Sequence, residues 1–390
     1  MRKLISAFLI VFLIFYAYNL TVLAENDSYI KAEYPEPGFD IDAKSVVLME
    51  AKTGEILYAK NETDELAPAS VTKVMTLLLV CEAISDERIS LNDNVTISEY
   101  ASSMGGSQVF LSQGEVLCVE ELIKCVVIAS ANDAAVALAE LVSGSEEAFI
   151  NKMNEKAKEL GLRSTHFENT TGLDDDTLNH VTSALDIAIM SQQLLKYDVV
   201  TNYSSKWQDS IRNGEFILTN TNRLVRFYNG CTGLKTGSTD KAGYCISATA
   251  ERDGMHLIAV IMGASTRDGR NSLATKLLDF GFSEYRIYEK EERYVNDIRV
   301  ISSEIEYAPL YAEGFSIIVK KSDYNKIKET LDIPDQTYAP KASNEDIGVI
   351  KYTMDGKTLY ESRVYIKEQI DKITYLRTLW LFMSSLFKNI

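Results

Sequence analysis

A run of apolar residues directly after Pro68 predicts a buried helix. Six of the seven residues from Val74 to Val80 are apolar, which suits a helix of about three turns, and proline is common in the first turn of a helix. Ser70 and Lys73 are three residues apart at the start of this helix. We therefore expect both side chains on one face.

Other patterns predict a mixed α and β architecture. Two β-rich runs, 45–50 and 55–60, flank a glycine turn and indicate a hairpin. Lys52-Thr53-Gly54 occupies the bend, so we interpret it as turn chemistry. Polar residues at 129–133 interrupt the helical stretch 120–141 and predict a corner between two helices. Further helices are predicted at 146–161, 180–195 and 275–282, the last ending at Gly281. Three adjacent antiparallel strands are predicted within 231–263.

The pattern changes after residue 286. Residues 287–300 are charged and mixed, which is typical of a domain boundary, and short β-rich runs from 301 to 366 predict a small all-β module. The predicted divisions are a leader at 1–24, an α+β domain at 38–286, a β-rich domain at 291–365 and a C-terminal segment at 366–390.

The C-terminal segment has the spacing of an amphipathic helix. Apolar residues recur at 366, 370, 373, 376, 380, 383, 387 and 390, with basic residues between them. The uncharged run from Thr378 to Phe387 is too short to span a bilayer. We interpret residues 366–390 as a helix lying on the membrane surface. Packing of this helix on the protein itself is the alternative.

The first residues have the form of an export signal. Arg2 and Lys3 precede an apolar stretch from Leu4 to Leu20, and a small-residue cleavage site follows at Val22-Leu23-Ala24. An uncleaved anchor is the alternative, but the apolar core is short for a membrane span. The net charge of −16 disfavours binding to nucleic acid.

Cysteine and histidine usage argues against a metal centre. The five cysteines are odd in number and scattered, and Cys81, Cys118 and Cys125 lie in apolar helical runs that favour buried free thiols. A disulfide between Cys231 and Cys245 stays open. Since the three histidines form no cluster with cysteines or carboxylates in the sequence, we expect no metal.

Three short motifs carry candidate chemistry. In Ser70-x-x-Lys73, a serine hydroxyl lies near a lysine that becomes its base if its pKa falls. Ser130-x-Asn132 follows at the helical corner, and Lys235-Thr236-Gly237 follows on a strand. The alternatives are an ordinary helix start for the first motif, an N-cap for the second and an exposed edge-strand lysine for the third. Each motif alone is weak, but the ordered set is specific.

The chain resembles the serine D-alanyl-D-alanine carboxypeptidases, the low-molecular-mass penicillin-binding proteins. Besides the three motifs, the resemblance rests on Pro68-Ala69, Gly105-Gly106-Ser107, Asn169-x-x-Gly172-Leu173, His180 ahead of Asp186, and Gly281-Phe282. It covers about residues 38–286. It implies an antiparallel sheet flanked by helices, a helical subdomain carrying Ser130 and Asn132, a β-rich C-terminal domain and a terminal amphipathic anchor.

The resemblance also implies a role for each motif residue. Ser70 would attack the carbonyl of the terminal D-Ala-D-Ala bond of a peptidoglycan stem peptide, with neutral Lys73 as the base. Ser130 would pass a proton to the leaving D-alanine, and Asn132 would hold the substrate amide. Lys235 would attract the terminal carboxylate and help depress the pKa of Lys73. The further substrate-binding residues would be Thr236, Gly237, Ser238 and Arg270, with the backbone N–H groups of Ser70 and Ser238 as the oxyanion hole.

Arg270 would add positive potential to the site, and a solvated surface arginine is the alternative. No metal or organic cofactor is implied, whereas β-lactam antibiotics are implied as covalent ligands, and the protein would work outside the cytoplasmic membrane.

Rival functions share the same motifs. A serine β-lactamase is the closest, because Asp175-Asp176-Thr177-Leu178-Asn179 approaches the Glu-x-x-Leu-Asn element of such enzymes. A non-catalytic wall-binding protein on the same fold is the second rival. A transpeptidase or endopeptidase acting on related cross-links is the third.

Overall fold

The computed structural model describes residues 34–174 and 177–388, with side chains as far as residue 384. The predicted leader at 1–24 and the pair Asp175-Asp176 lie outside the described residues. The helices are α1 Lys73–Ser85, α2 Glu99–Ser102, α3 Val119–Ala129, α4 Asn132–Ser143, α5 Glu146–Glu159, α6 Ala184–Leu194, α7 Asp198–Ser204, α8 Leu224–Phe227, α9 Arg267–Glu284 and α10 Tyr375–Lys388.

The strands up to residue 290 are β1 Ser45–Glu50, β2 Ile56–Lys60, β3 Asn94–Thr96, β4 Val116–Cys118, β5 Gln208–Ile211, β6 Phe216–Thr219, β7 Cys231–Thr239, β8 Gly243–Arg252, β9 Met255–Ala264 and β10 Tyr285–Lys290. Those beyond are β11 Arg293–Ile301, β12 Tyr307–Ala312, β13 Phe315–Lys320, β14 Lys328–Asp332, β15 Gln336–Tyr338, β16 Glu345–Met354 and β17 Lys357–Ile366.

The central sheet is antiparallel throughout and carries the Lys235-Thr236-Gly237 motif on its edge strand. Its five described strands run in the order β2-β1-β9-β8-β7, which confirms the predicted hairpin and the three adjacent strands. β8 and β9 are buried along most of their length because helices cover the sheet: α9 packs on β8 and β9, and α6 packs on β1 and β9. β7 is the edge strand that faces the serine turn at Ala69–Thr72.

The helical region forms one apolar core with the sheet. Helix α1 is apolar on nearly all sides and packs against α4, α5 and α6, as expected for a helix without a solvent face. The corner between α3 and α4 falls at Ser130 and Ala131, as predicted. A buried helix therefore carries Lys73, and a buried corner carries Ser130 and Asn132.

The C-terminal region is all-β, as expected. A six-stranded sheet of described strands has the order β14-β16-β17-β12-β11-β15, and β10 pairs with β13 beside it. Its core is rich in tyrosine and phenylalanine, with Phe315 between Tyr352 and Tyr360. Residues 287–300, where a domain boundary is predicted, form the end of β10 and most of β11. The domain limits 38–286 and 291–365 stay a prediction.

Three predicted helix ends are wrong. Helix α9 begins at Arg267 and not at 275, since the Thr266 hydroxyl accepts the Gly269 N–H and caps it there. Helix α9 runs through Gly281 to Glu284, because the missing side chain lets the helix lie against the sheet: a Cβ on Gly281 would lie 2.5 Å from Leu257. Helix α6 begins at Ala184 and not at 180, since the Ser183 hydroxyl accepts the Asp186 N–H and caps it there. His180 consequently lies in the preceding loop.

The C-terminal helix is confirmed but begins later than predicted. Ile366 ends β17 and Ile370 forms a bridge with Lys341, so both are buried in the β-rich core. Helix α10 starts at Tyr375. Among the described residues, no helix is long and apolar enough to cross a membrane.

The cysteines are free thiols. Cys231 and Cys245 are unbonded and stand opposite Ala250 and Gly237 in the β7–β8 ladder, so the disulfide left open by the sequence does not form. Cys81 and Cys125 are buried as expected, whereas Cys118 is half-exposed.

Candidate active site

Ser70 lies in a single 3₁₀ turn, Ala69–Thr72, that leads directly into α1. Residues three apart eclipse each other in a 3₁₀ turn, so Ser70 and Lys73 share a face as predicted. Lys73 Nζ lies 3.0 Å from Ser70 Oγ. The turn thus presents a partly exposed hydroxyl to a fully buried amine.

Lys73 has three oxygen neighbours and no exposed surface. Its Nζ lies 3.0 Å from Ser70 Oγ, 2.6 Å from Asn132 Oδ1 and 2.8 Å from the Thr171 carbonyl oxygen. Burial, and then the positive charge of Lys235, hold the pKa of Lys73 well below its usual range. A neutral amine has two hydrogens and one lone pair. If the hydrogens go to Asn132 and Thr171, the lone pair faces the Ser70 hydroxyl.

Ser130 and Asn132 enter the site from the corner between α3 and α4. Ser130 has a left-handed φ of +63° and ends α3, while Ala131 is the N-cap of α4. Neither motif residue is therefore the N-cap, so that alternative is wrong. Asn132 is held by its own N–H, which donates to Ser107, and by its Nδ2, which donates to the Gly105 carbonyl at 2.7 Å.

Lys235 reaches from β7 to Ser130. Its Nζ donates to Ser130 Oγ at 2.8 Å and to the Thr236 carbonyl at 2.7 Å. The side chain is 1 % exposed, so it is not the exposed edge-strand lysine of the alternative interpretation. Burial, and then the positive charge of Arg270, lower the pKa of Lys235 to about 7.

Thr236, Gly237 and Ser238 complete this strand. Thr236 Oγ1 donates to Thr221 Oγ1 at 2.8 Å. Gly237 packs against the serine turn so closely that a Cβ there would lie 2.8 Å from the backbone N of Ser70. Ser238 is exposed at the rim. The glycine therefore brings β7 to the serine, with an open edge beside it.

Arg270 is buried beneath the site. It lies in the first turn of α9, is 3 % exposed, and donates to the Cys245 carbonyl at 3.2 Å. The alternative of a solvated surface arginine is wrong. Its positive charge lowers the pKa of Lys235.

The structure brings the three motifs to one cleft. Lys73 forms hydrogen bonds with both Ser70 and Asn132. Lys235 forms a hydrogen bond with Ser130, and Gly237 packs against the serine turn. Sequence reasoning missed the carbonyl groups of Thr171 and Gly105, which accept from Lys73 and Asn132. The Asn169-x-x-Gly172 turn was the available signal for Thr171, because its turn positions that carbonyl.

Solved structures similar to this chain include penicillin-binding proteins. Penicillin-binding protein 5 from Haemophilus influenzae aligns with a TM-score of 0.76 and 30% identity, covering 87% of this chain and 100% of that one. Penicillin-Binding Protein D2 from Listeria monocytogenes, in its ampicillin-bound form, aligns with a TM-score of 0.58 and 31% identity, covering 63% of this chain and 100% of that one. The fold and the site define this class of protein.

Sequence comparisons give the family. The D-alanyl-D-alanine carboxypeptidase model matches residues 30–266, and the model for the C-terminal domain of penicillin-binding protein 5 matches residues 282–372. D-alanyl-D-alanine carboxypeptidase DacF of Bacillus subtilis is 45% identical over 346 residues, 86% of this chain and 88% of that protein. The chain belongs to the D-alanyl-D-alanine carboxypeptidase family, whose members are hydrolases, and the predicted resemblance is confirmed.

Proposed function

We propose that this family member is a serine-type carboxypeptidase that removes the terminal D-alanine from peptidoglycan pentapeptides through an acyl-enzyme on Ser70. The observation that carries the proposal is the placing of Lys73. Its buried amine lies 3.0 Å from Ser70 Oγ, with two other acceptors for its hydrogens. That arrangement is suited to a base that takes the serine proton.

Acylation uses two hydrogen-bonded pairs of the cleft, Ser70 with Lys73 and Ser130 with Lys235. Ser70 Oγ bonds to the carbonyl carbon of the D-Ala-D-Ala linkage as its proton passes to Lys73 Nζ. The carbon–nitrogen bond then breaks, and Ser130, hydrogen-bonded to Lys235, gives a proton to the departing amine. The proton that Lys73 took from Ser70 then passes to Ser130, which restores both groups. Water later hydrolyses the ester, giving a carboxylic acid on the shortened peptide and a hydroxyl on Ser70.

Substrate binding falls to β7 and the corner. Lys235, with Thr236 released from Thr221, would bind the terminal carboxylate, and Asn132 would hold the substrate amide. The backbone N–H groups of Ser70 and Ser238 would stabilise the oxyanion, where one donor is typically worth about 3 kcal/mol of barrier. The buried cations Lys235 and Arg270 suit a substrate with a free carboxylate better than an internal peptide.

Release of D-alanine tests this function. Purified protein is incubated with a muropeptide pentapeptide, and free D-alanine is measured alongside the mass of the product. We expect a tetrapeptide and one D-alanine per turnover from the wild type, and none from Ser70→Ala. Equal yields from the two proteins would rule the proposal out. Cross-linked or shortened dimeric products would indicate a transpeptidase or an endopeptidase.

β-Lactam antibiotics are proposed as covalent ligands, because they carry a carboxylate and a reactive amide like the substrate. Benzylpenicillin separates the carboxypeptidase from the β-lactamase alternative. A long-lived adduct of one molecule per chain is expected, whereas rapid destruction of many equivalents would indicate a lactamase. Binding to wall fragments without any adduct would indicate a non-catalytic protein.

We also propose that α10 attaches the protein to the membrane surface. Its apolar residues Leu376, Trp380 and Met383 recur at helical spacing on one face and are 76%, 57% and 45% exposed, as in helices that lie in a bilayer interface. Arg377, which also pairs with Glu304, supplies basic charge. Deleting 375–390 leaves Ile366 and Ile370 in the β-rich core. This deletion should move the protein from the membrane pellet to the soluble fraction, and a pelleted variant would refute the anchor.

We also propose that residues 1–24 direct export of the protein. The enzyme would then lie on the outer face of the cytoplasmic membrane. The N-terminal sequence of the protein recovered from its membrane pellet tests it. A new N-terminus after Ala24 is expected, and an intact Met1 would contradict cleavage there.

A further inference from the structure

The turn that carries Ser70 is held by a line of buried hydrogen bonds outside the reacting groups. Thr72 Oγ1 donates to the Ala69 carbonyl at 2.8 Å, and His180 Nε2 lies 2.8 Å from the same hydroxyl. On the far side of the ring, the Glu168 backbone N–H donates to His180 Nδ1 at 2.9 Å. We call the residues Ala69, Thr72, His180 and Glu168 the His180 line.

The hydrogen-bond donors of the His180 line determine the tautomer and the protonation state of the His180 imidazole. The single Thr72 hydroxyl hydrogen goes to Ala69, so the hydroxyl oxygen accepts from His180 Nε2. Nδ1 accepts from Glu168 and therefore carries no hydrogen. The ring is neutral, with its proton on Nε2. Burial lowers the pKa of His180 to about 4, in agreement with this assignment.

Ala69 is strained and needs this support. Its φ of +48° lies in the left-handed region although it is not glycine, a conformation that costs about 1 kcal/mol or more. Gly172 packs against the same carbonyl, since a Cβ there would lie 1.8 Å from the Ala69 carbonyl oxygen. Two contacts on one carbonyl therefore hold the residue before Ser70.

We propose that His180 is a positioning residue, which holds Ala69 through Thr72 and so keeps Ser70 Oγ directed at Lys73 Nζ. The inference rests on the proposed function, because it takes Ser70 as the nucleophile. A donor on one ring nitrogen and an acceptor on the other let one side chain join the serine turn to the loop at Glu168. A shift of the nucleophile by about 1 Å can cost roughly a hundredfold in rate.

Paired variants separate positioning from packing. Thr72→Val keeps the shape of the side chain and removes the hydroxyl, whereas Thr72→Ser keeps the hydroxyl. His180→Leu removes the ring donor, whereas His180→Gln can still donate to Thr72. His166→Gln is the matched control, since His166 is exposed in the same loop region. The measurement is single-turnover acylation by benzylpenicillin, which resolves the acylation rate constant from the dissociation constant of the initial complex.

We expect Thr72→Val and His180→Leu to lower the acylation rate constant roughly tenfold to a hundredfold, with little change in the dissociation constant. Thr72→Ser, His180→Gln and His166→Gln should stay within a few-fold of the wild type. The double variant Thr72→Val/His180→Leu should be no slower than the worse single variant, because both break one line.

Wild-type acylation rates in Thr72→Val, or losses that multiply in the double variant, would overturn the inference. If His180→Leu does not fold, the Thr72 pair alone decides. The two proposals fail differently: a wild type that forms the adduct but releases no D-alanine refutes the carboxypeptidase function, and the ratio of variant to wild-type acylation still decides the role of His180.

Discussion

The candidate active-site cleft and the C-terminal β-rich region hold their charged side chains in opposite ways. In the cleft, Lys73, Lys235 and Arg270 are 0%, 1% and 3% exposed, and their hydrogen bonds go to hydroxyl, amide and carbonyl oxygens. In the β-rich region, charges pair at the surface: Lys351 meets Asp332 at 2.8 Å with side chains 39% and 62% exposed.

The buried charges of the cleft are suited to chemistry, whereas the exposed charges of the β-rich region are suited to keeping the protein soluble. Burying a cation without a carboxylate is costly and lowers its pKa, as it does for Lys73 and Lys235. An exposed ion pair is screened by water and contributes little to stability. Changes in the cleft should therefore alter the reaction, and changes in the surface pairs should alter almost nothing.

The largest effect should come from Ser70→Ala. Removing the nucleophile of a group that acts as a unit typically costs a factor of about a million in kcat, so neither D-alanine release nor a penicillin adduct should be detected. Ser283→Ala, at an exposed serine outside the site, is the control. An adduct of normal yield on Ser70→Ala would show that another residue is acylated.

Lys73→Gln should be the next most damaging change. Loss of a positioned general base typically costs about a hundredfold to ten-thousandfold, while the amide can still bond to Asn132. Rapid-mixing acylation by benzylpenicillin measures the rate, with exposed Lys158→Gln as the matched control. An acylation rate for Lys73→Gln equal to that of the control would exclude Lys73 as the base.

The pH dependence of the activity should reflect the titration of both Lys73 and Lys235. Activity should fall at acid pH as Lys73 takes up a proton, and kcat/KM should fall again as pH rises through the pKa of Lys235, about 7, since the carboxylate then meets a neutral amine. A single deprotonation gives about a tenfold loss per pH unit. Arg270→Gln should move the basic limb upward, because a neighbouring positive charge is lost, whereas Arg270→Lys should not. If Arg270→Gln leaves the basic limb at the same pH, the charge of Arg270 does not lower the pKa of Lys235.

The smallest effect should come from the surface pair of the β-rich region. Lys351→Ala removes the partner of Asp332, but an exposed pair is worth little, so we expect the melting temperature to change by less than about 2 °C. D-alanine release should be unchanged. A large drop in melting temperature would mean that this region depends on its surface charges as the cleft does on its buried ones.

The sequence predicted the α+β architecture and the convergence of the motifs because residue types and their order carry that information. It did not predict the Thr171 carbonyl beside Lys73, since every residue has a carbonyl and only the folded turn aims it. The positive φ of Ala69 was hidden for a similar reason, because alanine does not favour that conformation.

The start of α10 was misplaced for another reason. Ile366 and Ile370 fit the helical period of the tail, but they also fit the end of β17 and the bridge to Lys341. Period alone could not separate the two, and burial in the β-rich core decides between them.

The state of the Lys73 amine is the most direct test. ¹³C NMR of protein labelled at the lysine Cε carbons follows every lysine through a pH titration, and Lys73→Gln assigns one signal. We predict that the signal lost in this variant titrates far below the other lysines, apart from Lys235. A Lys73 signal that titrates near pH 10, with the exposed lysines, would contradict the proposed activation of Ser70.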